Sequence, residues 1–162
     1  MARYFLFGFA LIVALAASQF PTYREAYLQR LGGALDEVQR QVTALDARAQ
    51  AASLERYAYV RRLTGNPDPV VRREGEALID LLSRRERLGD AIAALRAAPL
   101  HYEAVQTLWH LEPDIAAAAF EELTPAIPLS LSGIFHGFIG FFTGLLLPLG
   151  IRRLFPRRVV EA

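Results

Sequence analysis

IPLSLSGIFHGFIGFFTGLLLPLGI, residues 127–151, contains no Asp, Glu, Lys or Arg. Its only polar side chains are Ser130, Ser132, His136 and Thr143. A bilayer span needs about 20 apolar residues at roughly 1.5 Å rise each, and this stretch supplies them. Its backbone groups have no water to bond there, so a helix or a closed barrel must satisfy them. The lack of strict apolar–polar alternation favours the helix. Arg152, Arg153, Arg157 and Arg158 follow it.

Within the stretch, Gly133, Gly137, Gly140 and Gly144 recur at i, i+4, i+7 and i+11, on one helical face. Such a face lets a second helix approach closely. The plain alternative is the general enrichment of glycine in membrane helices. The first 20 residues offer a partner. Arg3 is their one charge, and an apolar run follows from Tyr4. Ala10, Ala14 and Ala17 with Ser18 form a small-residue stripe suited to the glycine face. The competing reading is a signal peptide cut before Ala17, after Ala14-Leu15-Ala16. The stripe favours an uncleaved anchor over 1–20.

Composition bounds the rest. The chain has 162 residues, 53% of them hydrophobic, with a formal net charge of +1. That fits a few spans plus a water-facing part, and implies no nucleic-acid partner. All 18 basic residues are arginine, which with the many alanines reads as coding bias rather than chemistry. Cysteine is absent, so disulfides, iron–sulfur clusters and thiol catalysis are excluded. The flanks hold five arginines against Glu161 alone, whereas 21–126 holds 13 arginines and 16 acids. The positive-inside rule then puts both termini in the cytoplasm and 21–126 outside, in the periplasm of a bacterial inner membrane.

From Thr22 the pattern is helical. Leu28, Leu31, Leu35, Val38, Val42, Leu45, Ala49 and Ala52 follow a 3,4 spacing, the stripe of a coiled coil. This predicts a helix over 22–51. A short helix over 53–64 follows, with Ser53 as N-cap and Gly65 as a left-handed C-cap. Asp68-Pro69 starts another helix, predicted over 69–97, whose stripe is Val71, Leu78, Leu81, Leu88, Ile92 and Leu95. The two long helices read as an antiparallel hairpin. Short helices over 101–111 and 113–123 lead back, the first with Ala104, Leu108 and Leu111 on one face. Residues 124–128 form a stiff joint into the final span, and Pro148 is expected to bend its last turn.

Reactive constellations are scarce. Ser132, His136 and Thr143 share the face beside the glycines and form a candidate intramembrane polar site. An ionisable group inside a span is a functional candidate by default. The bland reading is a neutral imidazole bonded to a backbone carbonyl or to a serine of the first span. His101, Glu103, His110, Glu112 and Asp114 match no zinc spacing and read as solvated surface. The pairs Arg61-Arg62, Arg72-Arg73 and Arg84-Arg85 alternate with acids, as on an exposed, ion-paired face. Arg152, Arg153, Arg157 and Arg158 are a topology signal and at most an anionic-lipid contact. No metal site, phosphate loop, G-x-S-x-G or catalytic carboxylate pair is present.

The N-terminal span, the leucine repeat, GNPDPVVRREGEALIDLL (65–82) and PAIPLS (125–130) together resemble a family of small proteobacterial inner-membrane proteins known as a domain of unknown function. The resemblance covers nearly the whole chain. It implies a location and carries no reaction, cofactor or catalytic residue.

The expectation is therefore an all-α membrane protein. Spans over 1–20 and 127–151 flank a helical-hairpin domain over 21–126, and 152–162 is a basic tail. The expected role is non-enzymatic and without a cofactor: an accessory, assembly or scaffold subunit among membrane lipids, with a membrane-protein partner or a second copy on the glycine face. The alternative is a lipid-, quinone- or haem-binding element using that face and His136. A sensor role is disfavoured by the short tails.

Overall fold

The computed structural model describes the backbone of residues 2–123 and 130–154. Seven α-helices and one 3-10 turn make up the described elements, and no strand occurs among them. They are α1 (Ala2–Ser18), α2 (Phe20–Ala51), α3 (Arg56–Thr64), α4 (Pro69–Ala97), a turn at Leu100–Tyr102, α5 (Glu103–Trp109), α6 (Pro113–Glu121) and α7 (Leu131–Leu154). The chain divides into two compact units, Met1–Ala26 with Ala117–Ala162, and Tyr27–Ala116.

In the first unit α1 packs along α7. Both are long and apolar enough to cross a membrane, α1 running on almost directly into α2. The interruption at Gln19 has a local cause. Pro21 has no N–H to give the Ala17 carbonyl, and its ring crowds that carbonyl. The ladder tightens instead, Gln19 N–H donating to Ala16 O at 3.2 Å, and restarts with Tyr23 N–H on Gln19 O at 3.0 Å. The second apolar helix starts at Leu131, after Ser130, whose hydroxyl accepts from Gly133 N–H at 3.1 Å, while 124–129, and with them the expected joint over 124–128, lie outside the described residues. It continues through Pro148 to Leu154. Proline leaves the Gly144 carbonyl without its usual donor, and the glycine leaves room for the ring.

The second unit is an antiparallel hairpin of α2 and α4 braced by α3. Gln39 lies opposite Arg85, whose Nε donates to its Oε1 at 2.7 Å, while Arg48 lies 3.9 Å from Glu74. Leu45, Val60 and Leu78 form a core that Tyr59, Leu63, Leu81 and Leu82 border. Along α2 the buried set is Tyr27, Leu31, Val38, Val42, Leu45 and Ala49. Leu28 and Leu35 are half-buried and Ala52 is exposed. Arg56 clamps Asp46 through two hydrogen bonds of 2.6 Å, tying α3 to α2.

Three local expectations are corrected. Ser53 is not an N-cap. It has φ 55°, the left-handed conformation that closes α2. Ser53 N–H bonds Gln50 O at 2.8 Å and Leu54 N–H bonds Ala49 O at 2.9 Å, the paired bonds of a Schellman end. The N-cap of α3 is Glu55, whose carboxylate accepts from Tyr57 N–H. Gly65 is not left-handed either, with φ −84°. The chain turns instead through Asn66, whose side-chain oxygen accepts from Asp68 N–H at 3.0 Å. Asp68 caps α4 by accepting from Val70 N–H, with Pro69 in its first turn. Finally, Leu108 is exposed and Thr107 faces inward, fully buried. The Thr107 hydroxyl is satisfied by Glu103 O at 2.8 Å, so its burial leaves no unmet polar group.

Tyr27 ties the base of the hairpin together. It is fully buried. Its hydroxyl donates to His110 O and accepts from Glu112 N–H, both at 2.8 Å. One oxygen thus satisfies the backbone on both sides of the α5–α6 joint.

Glycine has two different meanings here. A Cβ on Gly75 would stand 2.6 Å from Thr64 N, so α3 ends against α4 only because Gly75 has none. A Cβ on Gly33 would meet nothing within 4 Å. In thermal unfolding followed by the helical signal of the full chain, Gly75→Ala should lose about 1–3 kcal/mol, the usual cost of overpacking. Gly33→Ala should gain up to about 1 kcal/mol from helix propensity. Ser53→Gly should also gain, since the left-handed strain of a Cβ residue, about 1–2 kcal/mol, is removed.

The hydrogen bonds from Arg56 hold the Asp46 carboxyl below the usual aspartate range, helped by the positive charges of Arg56 and Arg85. A carboxyl depressed on folding adds stability that is full above its unfolded value of about 3.9 and is lost as pH falls through the native value. Asp46→Asn should flatten that acid limb of the stability–pH curve while leaving the neutral-to-alkaline limb parallel to the parent.

Candidate functional site: the seam between α1 and α7

The seam is made of side chains too small to keep the helices apart. A Cβ on Gly144 would lie 2.7 Å from Ala10 Cα, and one on Gly140 would lie 2.5 Å from Ala17 Cβ and 2.8 Å from Val13 O. At Gly137 the same construction meets Ser18 Cβ at 3.5 Å and Ala14 O at 3.7 Å. The pairing is antiparallel, since higher numbers on α7 meet lower numbers on α1. Gly133, Gly140 and Gly144 are buried, as is Ala10, while Gly137 and Ala14 are half-buried. At two of the three positions, Gly140 and Gly144, even alanine is sterically excluded, so backbone meets backbone over about one helical turn. Phe7 and Phe141 border the seam, their ring centroids 6.4 Å apart.

The polar residues gather where α1 ends. Ser18 is buried, its hydroxyl donating to Leu15 O at 2.8 Å and lying 3.5 Å from Gln19 Nε2. His136 is only 7% exposed. Its Nδ1 lies 2.9 Å from the Ser132 carbonyl and 3.4 Å from the Ser132 hydroxyl. A carbonyl only accepts, so Nδ1 carries a proton, and in the neutral form of such a ring the lone pair is on Nε2. The Phe20 ring lies over the imidazole at 4.7 Å and Phe135 meets it edge-on at 5.5 Å. The partner of His136 is therefore its own helix rather than a serine of α1.

Thr143 does not join this cluster. It is exposed, its hydroxyl folded back onto Ile139 O at 2.8 Å. Arg152 and Arg153 fall within α7, but their side chains lie outside the described residues, as do Arg157 and Arg158 altogether. Val13 and Phe20 are members of the seam that the sequence reading passed over. Val13 sits three residues after Ala10, on the same face, and that spacing was the available signal. Phe20 carried no signal, because its place depends on the break at Gln19.

The remaining groups are scattered. Among the described residues no three His, Cys, Asp or Glu side chains converge as metal ligands would. An open groove of about 620 Å³ between α2 and α4 is lined by charges of both signs, including Arg48, Arg84, Glu74 and Asp80. Trp109 and Leu108 stand exposed on α5.

Over residues 1–160 the chain matches the model of a family described as a protein of unknown function, DUF2937, and it belongs to that family. No curated protein matches it, and no solved structure does.

The sequence has no cysteine, so introduced pairs report the seam directly. Disulfides need Cβ atoms about 3.5–4.5 Å apart, a range that the 3.5 Å between Ser18 Cβ and a Cβ on Gly137 meets. Ser18→Cys with Gly137→Cys should close under mild oxidation, read as the loss of a hydrogen pair in intact mass. Gly8→Cys with Gly137→Cys should stay reduced. Adding Gly140→Leu to the first pair should abolish closure.

Proposed function

We propose that this DUF2937 chain crosses a bilayer twice, through α1 and α7, and serves as a non-enzymatic accessory, assembly or scaffold subunit of a larger membrane or envelope complex. The observation that carries the bilayer reading is the distribution of side-chain size around the α1–α7 pair. Alanine and glycine fill the seam, while Phe5, Leu11, Ile12, Phe138, Phe142 and Leu146 point outward and are exposed. In water that arrangement has the wrong sign, because large apolar groups belong inside. In lipid it is the favourable one, since close packing rather than apolar burial joins the helices.

The scaffold reading rests on the division of labour along the chain. The second unit has a core, caps and ion pairs of its own, and the sequence carries many packing features without a catalytic constellation. Because α1 already covers the glycine face, a partner subunit or a second copy engages the outer faces of the pair or the hairpin. The excess of arginine in the flanks favours a bacterial inner membrane with both termini cytoplasmic and 21–126 periplasmic. A second reading, a bilayer element that holds a small amphiphile, is favoured by one observation, the buried His136 ring, whose Nε2 has no partner among the described residues.

Purification from native membranes in mild detergent separates these roles. A complex of fixed stoichiometry with a second protein is the expected result, and a lone monomer would refute the accessory role. Single cysteines test orientation in the cysteine-free background. In intact cells a membrane-impermeant maleimide should label Ala52→Cys, and should label Glu161→Cys only after lysis. The reverse pattern would overturn the assigned topology.

A further inference from the structure

At the end of the α1–α7 seam, His136 is a buried polar side chain with one ring nitrogen that has no partner among the described residues. Nδ1 of His136 is committed to the Ser132 carbonyl at 2.9 Å. Nε2 lies across the ring from it, and nothing among the described residues donates to it. The residue as a whole is only 7% exposed, so most of the ring is packed away from solvent. Two aromatic rings flank it, Phe20 at 4.7 Å and Phe135 at 5.5 Å. His136 is five residues beyond Leu131, about 7.5 Å into α7 at the usual helical rise. In a bilayer that depth is where the heads of dissolved amphiphiles meet their tails.

We propose that His136 Nε2 accepts a hydrogen bond from the hydroxyl of a bilayer-dissolved amphiphile, with Phe20 and Phe135 providing aromatic surface for its head. The inference rests on the bilayer reading above. An unprotonated imidazole nitrogen needs a donor, which excludes quinones and ethers as ligands of this atom and admits quinols and hydroxylated lipids. The rings favour a planar phenolic head, that of a quinol, over the glycerol hydroxyl of a lipid. The fixed tautomer has a function in this scheme, because the backbone bond at Nδ1 keeps Nε2 available as an acceptor.

The test uses the full chain, labelled with ¹⁵N at histidine, in nanodiscs of phosphatidylcholine. The probes are a decyl-tailed benzoquinol kept reduced, its dimethyl ether, and phosphatidylglycerol added to the disc lipid. The expected result is a saturable upfield shift of the His136 Nε2 resonance with the quinol and none with the ether. His136→Leu should weaken quinol binding about tenfold, the scale of one lost hydrogen bond. Phe20→Leu, which keeps the acceptor, should weaken it less and retain the shift. A shift with phosphatidylglycerol alone would uphold the hydroxyl donor and assign it to lipid. Equal shifts with quinol and ether, or none with any probe, would overturn the proposal without recourse to a variant. Chain that stays in the disc without a shift rejects this inference alone, while chain that does not enter the disc rejects the bilayer reading.

Discussion

The close approach of α1 to α7 is the constraint on which the first unit depends. It exists because three glycines on one face of α7 meet alanine, valine backbone and serine on α1. In the bilayer setting proposed above, helix association has no apolar driving force, so dispersion between closely apposed surfaces has to supply it. That force falls steeply with distance, and a single methyl group changes the distance. The 2.5 Å between Ala17 Cβ and a Cβ on Gly140 makes the point, since contact at that range is possible only with no Cβ there at all. Glycine costs about 1 kcal/mol of helix propensity in water, a cost that lipid reduces because an unfolded backbone has nothing there to bond. Four glycines on one face of the helix are tolerable for that reason.

The second unit is held by a different economy, the satisfaction of backbone groups where helices end. Each joint has a named solution. The Schellman bonds at Ser53 and Leu54 close α2, the Asn66 and Asp68 side chains carry the chain from α3 into α4, and Tyr27 serves both sides of the α5–α6 joint. Tyr27 matters most because it is fully buried and its partners lie more than eighty residues further along the chain. A hydrophobic residue of the same shape would leave a carbonyl and an amide unmatched there, at about 1–3 kcal/mol each. A chain of short helices in this way becomes attached to the base of a long one.

Helix type and extent were legible in the sequence because they depend on local rules. The apolar stripe of α2, the Asp68-Pro69 start of α4 and the Pro99 stop after it are all read within a few residues. The errors lie where two local rules competed. Ser53 suits an N-cap, yet the chain used it as the left-handed closing residue, a place where glycine is usual. Gly65 suits that left-handed role and did not adopt it, because Asn66 offered a side-chain bond instead. Leu108 suits a core position and lies outside, because Tyr27 sets the roll of α5 by holding the carbonyl that ends it. The tautomer of His136 could not be read either. It depends on the ring turning back to the carbonyl four residues earlier, which competes with every polar group of α1.

That competition bears on what His136 is for. Ser18 lies on the facing helix, opposite Gly137, and is the natural partner for a buried imidazole. Its hydroxyl instead donates to Leu15 O within α1, and the imidazole donates within α7. Each helix therefore satisfies its own polar group, and no hydrogen bond between Ser18 and His136 crosses the seam. A histidine kept only to join two helices gains nothing from that arrangement, since the helices already meet through glycine. Leucine or phenylalanine would fill the volume without a lone pair to match. A residue that does not link the helices through Ser18, and whose second ring nitrogen has no partner among the described residues, has that nitrogen as the property that distinguishes it from an apolar filler. In an apolar stretch that holds no Asp, Glu, Lys or Arg, that ring nitrogen is where the chemistry of this protein is most economically sought.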